Sequence, residues 1–120
     1  MDHSLLSPRA RTLRAAAATL VCAALLIPPS MPASAAPALS LDISKFAFAP
    51  KEITVAPGTR VVWTNRDEAP HTVAGKDKSF TSKGLDTADK FDHTFEAEGD
   101  FEYYCTLHPF MTGVVHVRKP

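Results

Sequence analysis

The sequence predicts an all-β domain, a sandwich or barrel of about seven to eight short strands, preceded by an export segment. Three observations predict it. Apolar and polar residues alternate in short runs, as in Leu39, Leu41, Ile43 and again in Phe101, Tyr103, Cys105. Turn formers such as Pro57-Gly58, Gly75 and Gly99-Asp100 separate the runs. No segment after the first 35 residues carries a helical period.

Residues 1–35 read as a signal peptide. Arg9, Arg11 and Arg14 form a basic start, Ala15 to Ile27 an apolar run, and Pro28-Pro29 end it. The run is 13 residues long, too short to cross a bilayer, which needs about 20. Ala33-Ser34-Ala35 supplies the small-x-small pattern, and Pro37 disfavours a cut one residue later, so cleavage is expected after Ala35. Cys22 follows Val21, where a lipoprotein signal wants a small residue, and no twin-arginine pair is present. Export by the Sec route to the periplasm or the medium follows, with no membrane span.

The domain proper is then residues 36–120. Removing Arg9, Arg11, Arg14 and Asp2 from 13 basic and 13 acidic residues leaves 10 and 12, a net charge near −2. Such a balance has no basic excess to suggest a nucleic-acid partner. One cysteine remains, Cys105, so no internal disulfide can form. A domain this small often supplements its core with a disulfide or a metal, which makes a metal the first thing to seek.

In chain order, Leu39, Leu41 and Ile43 make the first strand. Near Ser44-Lys45 the apolar parity shifts to Phe46 and Phe48, which calls for a bulge or a strand bend. Glu52 to Ala56 is a strand stopped by Pro57-Gly58, and Arg60 to Asn65 is the next. His71 to Ala74 is short and ends at Gly75. The polar stretch Gly75 to Lys90 reads as a long connection with at most one short strand. Phe91, His93 and Phe95 alternate, Gly99-Asp100 turns the chain, and Phe101, Tyr103 and Cys105 share a face. Gly113 to Val117 closes the domain.

The segment Cys105-Thr106-Leu107-His108-Pro109-Phe110-Met111 carries the chemistry. It sets a thiol, an imidazole and a thioether at three-residue intervals. A second imidazole lies far upstream, at His71 or at His93, which sits on the apolar parity of its strand. One Cys, two His and one Met are the donors of a blue-copper site, a trigonal His₂Cys plane with a weak axial Met. Soft thiolate and thioether suit Cu(I), and imidazole suits both oxidation states. His116 alternates with Val115 and Val117 and reads as an outward polar residue.

From about Leu39 to Val117 the chain resembles the cupredoxins, specifically their amicyanin and plastocyanin-like branch. The resemblance lies in Val62-Trp63-Thr64-Asn65 followed by Pro70-His71-Thr72, in Gly99-Asp100-Phe101-Glu102-Tyr103-Tyr104-Cys105, and in the short Cys105, His108, Met111 spacing. It implies a cupredoxin-type Greek-key β-sandwich holding one Cu(I)/Cu(II) ion on His71, Cys105, His108 and Met111. It selects His71 over His93 and implies that Asn65 ties the two ligand loops together. Leu107 stands where amicyanins have proline.

Three classes of function compete. Electron carriage needs a rigid site that keeps its metal, whereas copper buffering or delivery usually exposes a labile one. A copper enzyme would need further histidine-bound copper, yet Cys105 is flanked by Tyr104 and Thr106, and only four histidines lie beyond residue 35. The sequence therefore predicts a non-enzymatic one-electron carrier, a monomer. Its redox donor and acceptor dock transiently near His108, beside Pro109 and Phe110, with Tyr104 as a second route.

Overall fold

Among the described residues, alternating apolar side chains generate eight strands in two four-stranded sheets. The computed structural model that gives this architecture describes residues 15–30 and 36–120. Residues 15–30 form neither strand nor helix, and Leu20, Leu25, Leu26 and Ile27 within them are exposed. The arginines at 9, 11 and 14 and the Ala33-Ser34-Ala35 pattern lie outside the described residues. No helix among the described residues is long and apolar enough to cross a membrane.

The strands are β1 (Ala38–Ser44), β2 (Ala47–Ala49), β3 (Glu52–Val55), β4 (Thr59–Asn65), β5 (Ala74–Gly75), β6 (Lys90–Phe95), β7 (Gly99–Tyr104) and β8 (Thr112–Val117). One sheet has the order β2-β1-β4-β6 and the other β3-β8-β7-β5. Two pairings are parallel: β1 with β4, and β3 with β8. The segment between β5 and β6 forms only isolated bridges, His71 with Leu85 and Ala74 with Thr81.

The inward positions close the core. Leu41 and Ile43 of β1, Val61 and Trp63 of β4 and Phe95 of β6 pack in one cluster with Tyr103 of β7 and Val115 and Val117 of β8. Each such side chain, once fully buried, contributes about 1.5–3 kcal/mol. Trp63 meets Tyr103 edge to face at 5.4 Å, and Phe48 meets Tyr103 at 4.7 Å.

The parity shift after Ile43, for which a bulge or a strand bend was expected, comes from a chain reversal. Ser44 pairs with Ala47, so Lys45 and Phe46 are the two central residues of a tight hairpin between β1 and β2. Both have positive φ, 54° and 55°, as the hairpin turns that match strand twist require. Neither is the Gly or Asn that usually announces such a turn. Phe48 points into the core as expected, but Phe46 is 45% exposed.

His93, on the edge strand β6, stacks on Phe80 at 4.9 Å and meets Phe95 edge-on at 4.8 Å. Burial lowers its pKa, and the carboxylates of Asp77 and Asp92 pull the other way. Its ring thus belongs to an aromatic cluster on the flank of the sandwich.

Tyr103 lies directly opposite Gly113 on β8. Burial pushes its hydroxyl pKa up to about 12 against a smaller opposing effect of the nearby Trp63 indole, and among the described residues neither the hydroxyl nor Trp63 Nε1 has a hydrogen-bond partner of good geometry. A Cβ at position 113 would intrude on the Tyr103 ring carbons and hydroxyl. The ring is fully buried and has nowhere to retreat. Gly113→Ala is therefore expected to cost about 1–3 kcal/mol, read as a lowered midpoint in guanidinium unfolding.

Candidate metal centre

His71 is placed by the chain that leaves β4. The Asn65 side chain donates from Nδ2 to the carbonyls of Ala69 and Leu85, both at 2.9 Å, and its Oδ1 accepts the Asp67 N–H at 3.0 Å. These bonds fold residues 66–70 into a tight loop that returns His71 to the core. His71 then exchanges two backbone hydrogen bonds with Leu85, at 3.1 and 2.7 Å, and is fully buried. Its Nε2 lies 2.8 Å from Asp67 Oδ2. A carboxylate can only accept, so Nε2 carries the proton and Nδ1 keeps a free lone pair.

Cys105 follows β7 directly and is fully buried. Its N–H donates to the Met111 carbonyl at 3.1 Å, and the Met111 N–H donates to the His108 carbonyl at 2.9 Å. Two backbone bonds thus close the seven-residue loop, with Met111 buried inside it. Leu107 and Phe110 are exposed, and His108 is half-buried.

The three nitrogen and sulfur donors converge. His71 Nδ1 is 3.2 Å from His108 Nδ1, and Cys105 Sγ lies 3.8 Å from the former and 3.7 Å from the latter. Metal–nitrogen bonds of about 2.0 Å and a metal–thiolate bond of about 2.3 Å, in a trigonal plane, separate the donors by about 3.5 and 3.7 Å. The observed spacings match that triangle, and the donors fit a single ion. Among the described residues this is the one such cluster of His, Cys or acidic side chains. With Met111 in the same loop, the set has the softness that favours copper over zinc.

The two loops that meet here are tied by threonines. The Thr72 N–H points at Cys105 Sγ from 3.4 Å. Its hydroxyl accepts the Thr106 N–H at 2.7 Å and lies 2.8 Å from the Thr106 hydroxyl. This corrects the role expected of Asn65, whose hydrogen bonds stay within the His71 side and reach none of residues 105–111. Asp67 also went unnoticed in the sequence. Burial raises its pKa, but hydrogen bonds from the Phe46 N–H, from His71 and from the Lys45 N–H outweigh this and hold its carboxyl below the ordinary range. Phe46 is a third omission: its ring meets both imidazoles edge-on, at 5.3 Å from His71 and 5.1 Å from His108.

The other two histidines among the described residues lie elsewhere. His93 stays with Phe80 on the flank. His116 is on β8, its Nδ1 2.7 Å from Asp100, as an outward polar residue. Tyr104 is half-buried between Ala74 and Thr112.

A β-sandwich with one Cys, two His and a nearby Met at its loop end defines a cupredoxin, the class of small blue-copper electron carriers. Residues 35–118 match the family model for copper-binding proteins of the plastocyanin/azurin family. Amicyanin of Paracoccus denitrificans is 36% identical over 101 residues, covering 77% of each chain. Amicyanin of Paracoccus versutus is 33% identical over 88 residues, covering 69% of this chain and 67% of its own. The purple cupredoxin of Nitrosopumilus maritimus superimposes with a TM-score of 0.63 at 33% identity, over 66% of this chain and 98% of that one. The chain belongs to the plastocyanin/azurin family of copper-binding proteins, and copper is its cofactor.

If the converging donors are the ligands, Cys105→Ser abolishes the blue absorption even where some copper remains bound. His71→Ala bleaches it, whereas His93→Ala leaves it nearly intact. The visible spectrum after Cu(II) addition checks all three, and a blue His71→Ala beside a colourless His93→Ala would reverse the assignment.

Proposed function

We propose that this protein is an exported one-electron carrier whose single copper is held by His71, Cys105, His108 and Met111. The observation that carries the reading is the trigonal spacing of Cys105 Sγ and the two Nδ1 atoms. When bound, copper supplies a one-electron couple between Cu(I) and Cu(II). The chain supplies donors that both states accept. The Thr72 N–H, 3.4 Å from Sγ, helps hold that donor in place. Backbone bonds at Cys105 and Met111 and the Asp67 contact at His71 hold the donors in place, so a change of oxidation state meets little rearrangement.

Burial favours carriage over copper delivery. His71 and Cys105 are both fully enclosed, and a site that hands over its metal needs an open ligand for the recipient to displace. Residues 1–35 serve as the signal peptide in this reading. Cleavage after Ala35 leaves the sandwich whole, since β1 begins at Ala38. The decisive experiment takes the secreted protein, determines its N-terminus by intact mass, and cycles its copper by voltammetry. A chain starting at Ala36 that cycles without losing copper supports the proposal. A chain that retains residues 1–35 sinks the export reading, and copper loss on each reduction favours delivery.

Electrons leave most readily where a donor to the metal nears solvent, which is His108. Around it Phe110 is 72% exposed, Leu107 53% and Phe46 45%. No charged residue occurs from Tyr103 to Val117. Such an apolar face suits the brief contact of a monomeric carrier with its redox donor and acceptor, with an interface typically under about 1,200 Å². Phe110→Glu is expected to leave the visible spectrum unchanged and to slow electron self-exchange between Cu(I) and Cu(II) copies, measured by NMR line broadening. Unchanged exchange in Phe110→Glu with slowed exchange in Tyr104→Ala would move the port to the tyrosine side.

A further inference from the structure

A single carboxylate contacts one imidazole of the centre and holds the turn whose ring meets both. Asp67 lies in the loop between β4 and His71, with its side chain 14% exposed. Its Oδ1 accepts the Lys45 N–H at 2.7 Å. Its Oδ2 accepts the Phe46 N–H at 2.9 Å and faces His71 Nε2 at 2.8 Å. Three donors on one carboxylate is a dense arrangement for a loop residue.

The two backbone donors belong to the strained part of the chain. Lys45 and Phe46 both occupy left-handed backbone, which is unfavourable for residues with a Cβ. No glycine or asparagine is there to make the turn easy. The carboxylate offsets that cost by accepting both N–H groups. The turn it holds lays the Phe46 ring edge-on against His71 and His108, with interplanar angles of 88° and 90°. Asp67 thus touches His71 directly and His108 through Phe46.

We propose that Asp67 is the positioning residue of the copper centre, fixing the His71 ring through Nε2 and holding Phe46 across both imidazoles; this rests on the reading of His71 and His108 as ligands. Two effects follow. A carboxylate behind a ligating imidazole fixes its tautomer and ring orientation, so the donor to copper is held ready. Its negative charge favours the more positive oxidation state, which lowers the reduction potential. The Phe46 ring limits movement of the His108 ring and sheds water from the half-buried side of the site.

The test uses the secreted, copper-loaded protein. Asp67→Asn keeps the shape and one acceptor oxygen but removes the charge. Its blue band should persist, its reduction potential should rise, and its Cu(II) affinity should fall about 10–100-fold in competition with a chelator. Asp67→Glu should recover most of both. Phe46→Ala retains the backbone bonds to Asp67. It should leave the His71 ring signals sharp in the NMR spectrum of the Cu(I) protein while broadening those of His108. Wild-type Cu(I) protein should itself show a slowly exchanging Nε2 proton on His71, a readout that needs no variant to fold. Loss of unfolding stability in Asp67→Asn with potential and copper affinity unchanged would reduce Asp67 to a structural turn residue and overturn the proposal. So would a rapidly exchanging His71 Nε2 proton. The ligand reading fails separately, if His71→Ala stays blue.

Discussion

Everything at the loop end of this molecule serves one constraint: a thiol and two imidazoles must sit within 3.8 Å of one another. Cys105, His108 and Met111 are neighbours in sequence, and gathering them costs little chain entropy. His71 is 34 residues from Cys105, and its arrival depends on the sheet. Ala74 of β5 pairs with Tyr104 of β7, which brings the residues just before β5 beside those just after β7. The threonine contacts between 72 and 106 extend that pairing by one layer to the donors themselves. The short β5 is thus the element that turns two distant motifs into one site.

The same constraint explains why polar groups crowd an otherwise apolar end. His71 is fully buried, and a buried ring nitrogen without a partner is costly. Nε2 has Asp67 and Nδ1 faces the other donors, so each nitrogen has a defined task. Asn65 is also fully buried, and both ends of its amide are occupied by Ala69, Leu85 and Asp67. The exception is the Trp63 and Tyr103 pair deeper in the core, whose indole N–H and hydroxyl lack partners of good geometry among the described residues. That pair serves packing: two large rings fill the centre where β4 and β7 face each other, and Gly113 leaves room for them.

The all-β class, the succession of strands and the ligand loop of Cys105, His108 and Met111 were legible in the sequence, because each has a local signature; His71 was chosen by the family resemblance. Strand parity, Pro57-Gly58 and the three-residue ligand spacing all act over a few residues. Long-range partnerships were not legible. Phe46 looked like the start of a strand because its hairpin lacks glycine and asparagine, and the turn is held instead by Asp67, 21 residues away. Thr72 and Thr106 carry no periodic signal, and their contact exists only once β5 and β7 pair. Asn65 was noticed from its resemblance to a family segment, but the direction of its hydrogen bonds is a matter of geometry. Parity alone left His93 open; its place on the edge strand beside Phe80 is a tertiary fact.

Charge is kept out of the loop around His108, which has no Asp, Glu, Lys or Arg from Tyr103 to Val117. Arg60 pairs with Asp92, Arg66 with Asp42, Lys76 with Glu102 and Arg118 with Asp100, all with well-exposed side chains. Exposed pairs of this kind add little stability, and their value here is positional. A charged side chain on the loop around His108 would lose water on every encounter and gain no fixed partner in return. It would also add its field to the metal a few ångströms away. Keeping Leu107, Pro109 and Phe110 at that surface avoids both penalties, and Phe46 extends the apolar face from the opposite sheet. The charge that contacts a ligand imidazole, Asp67, has its carboxylate engaged by His71 and two backbone N–H groups. It can act on the copper without being offered to a partner.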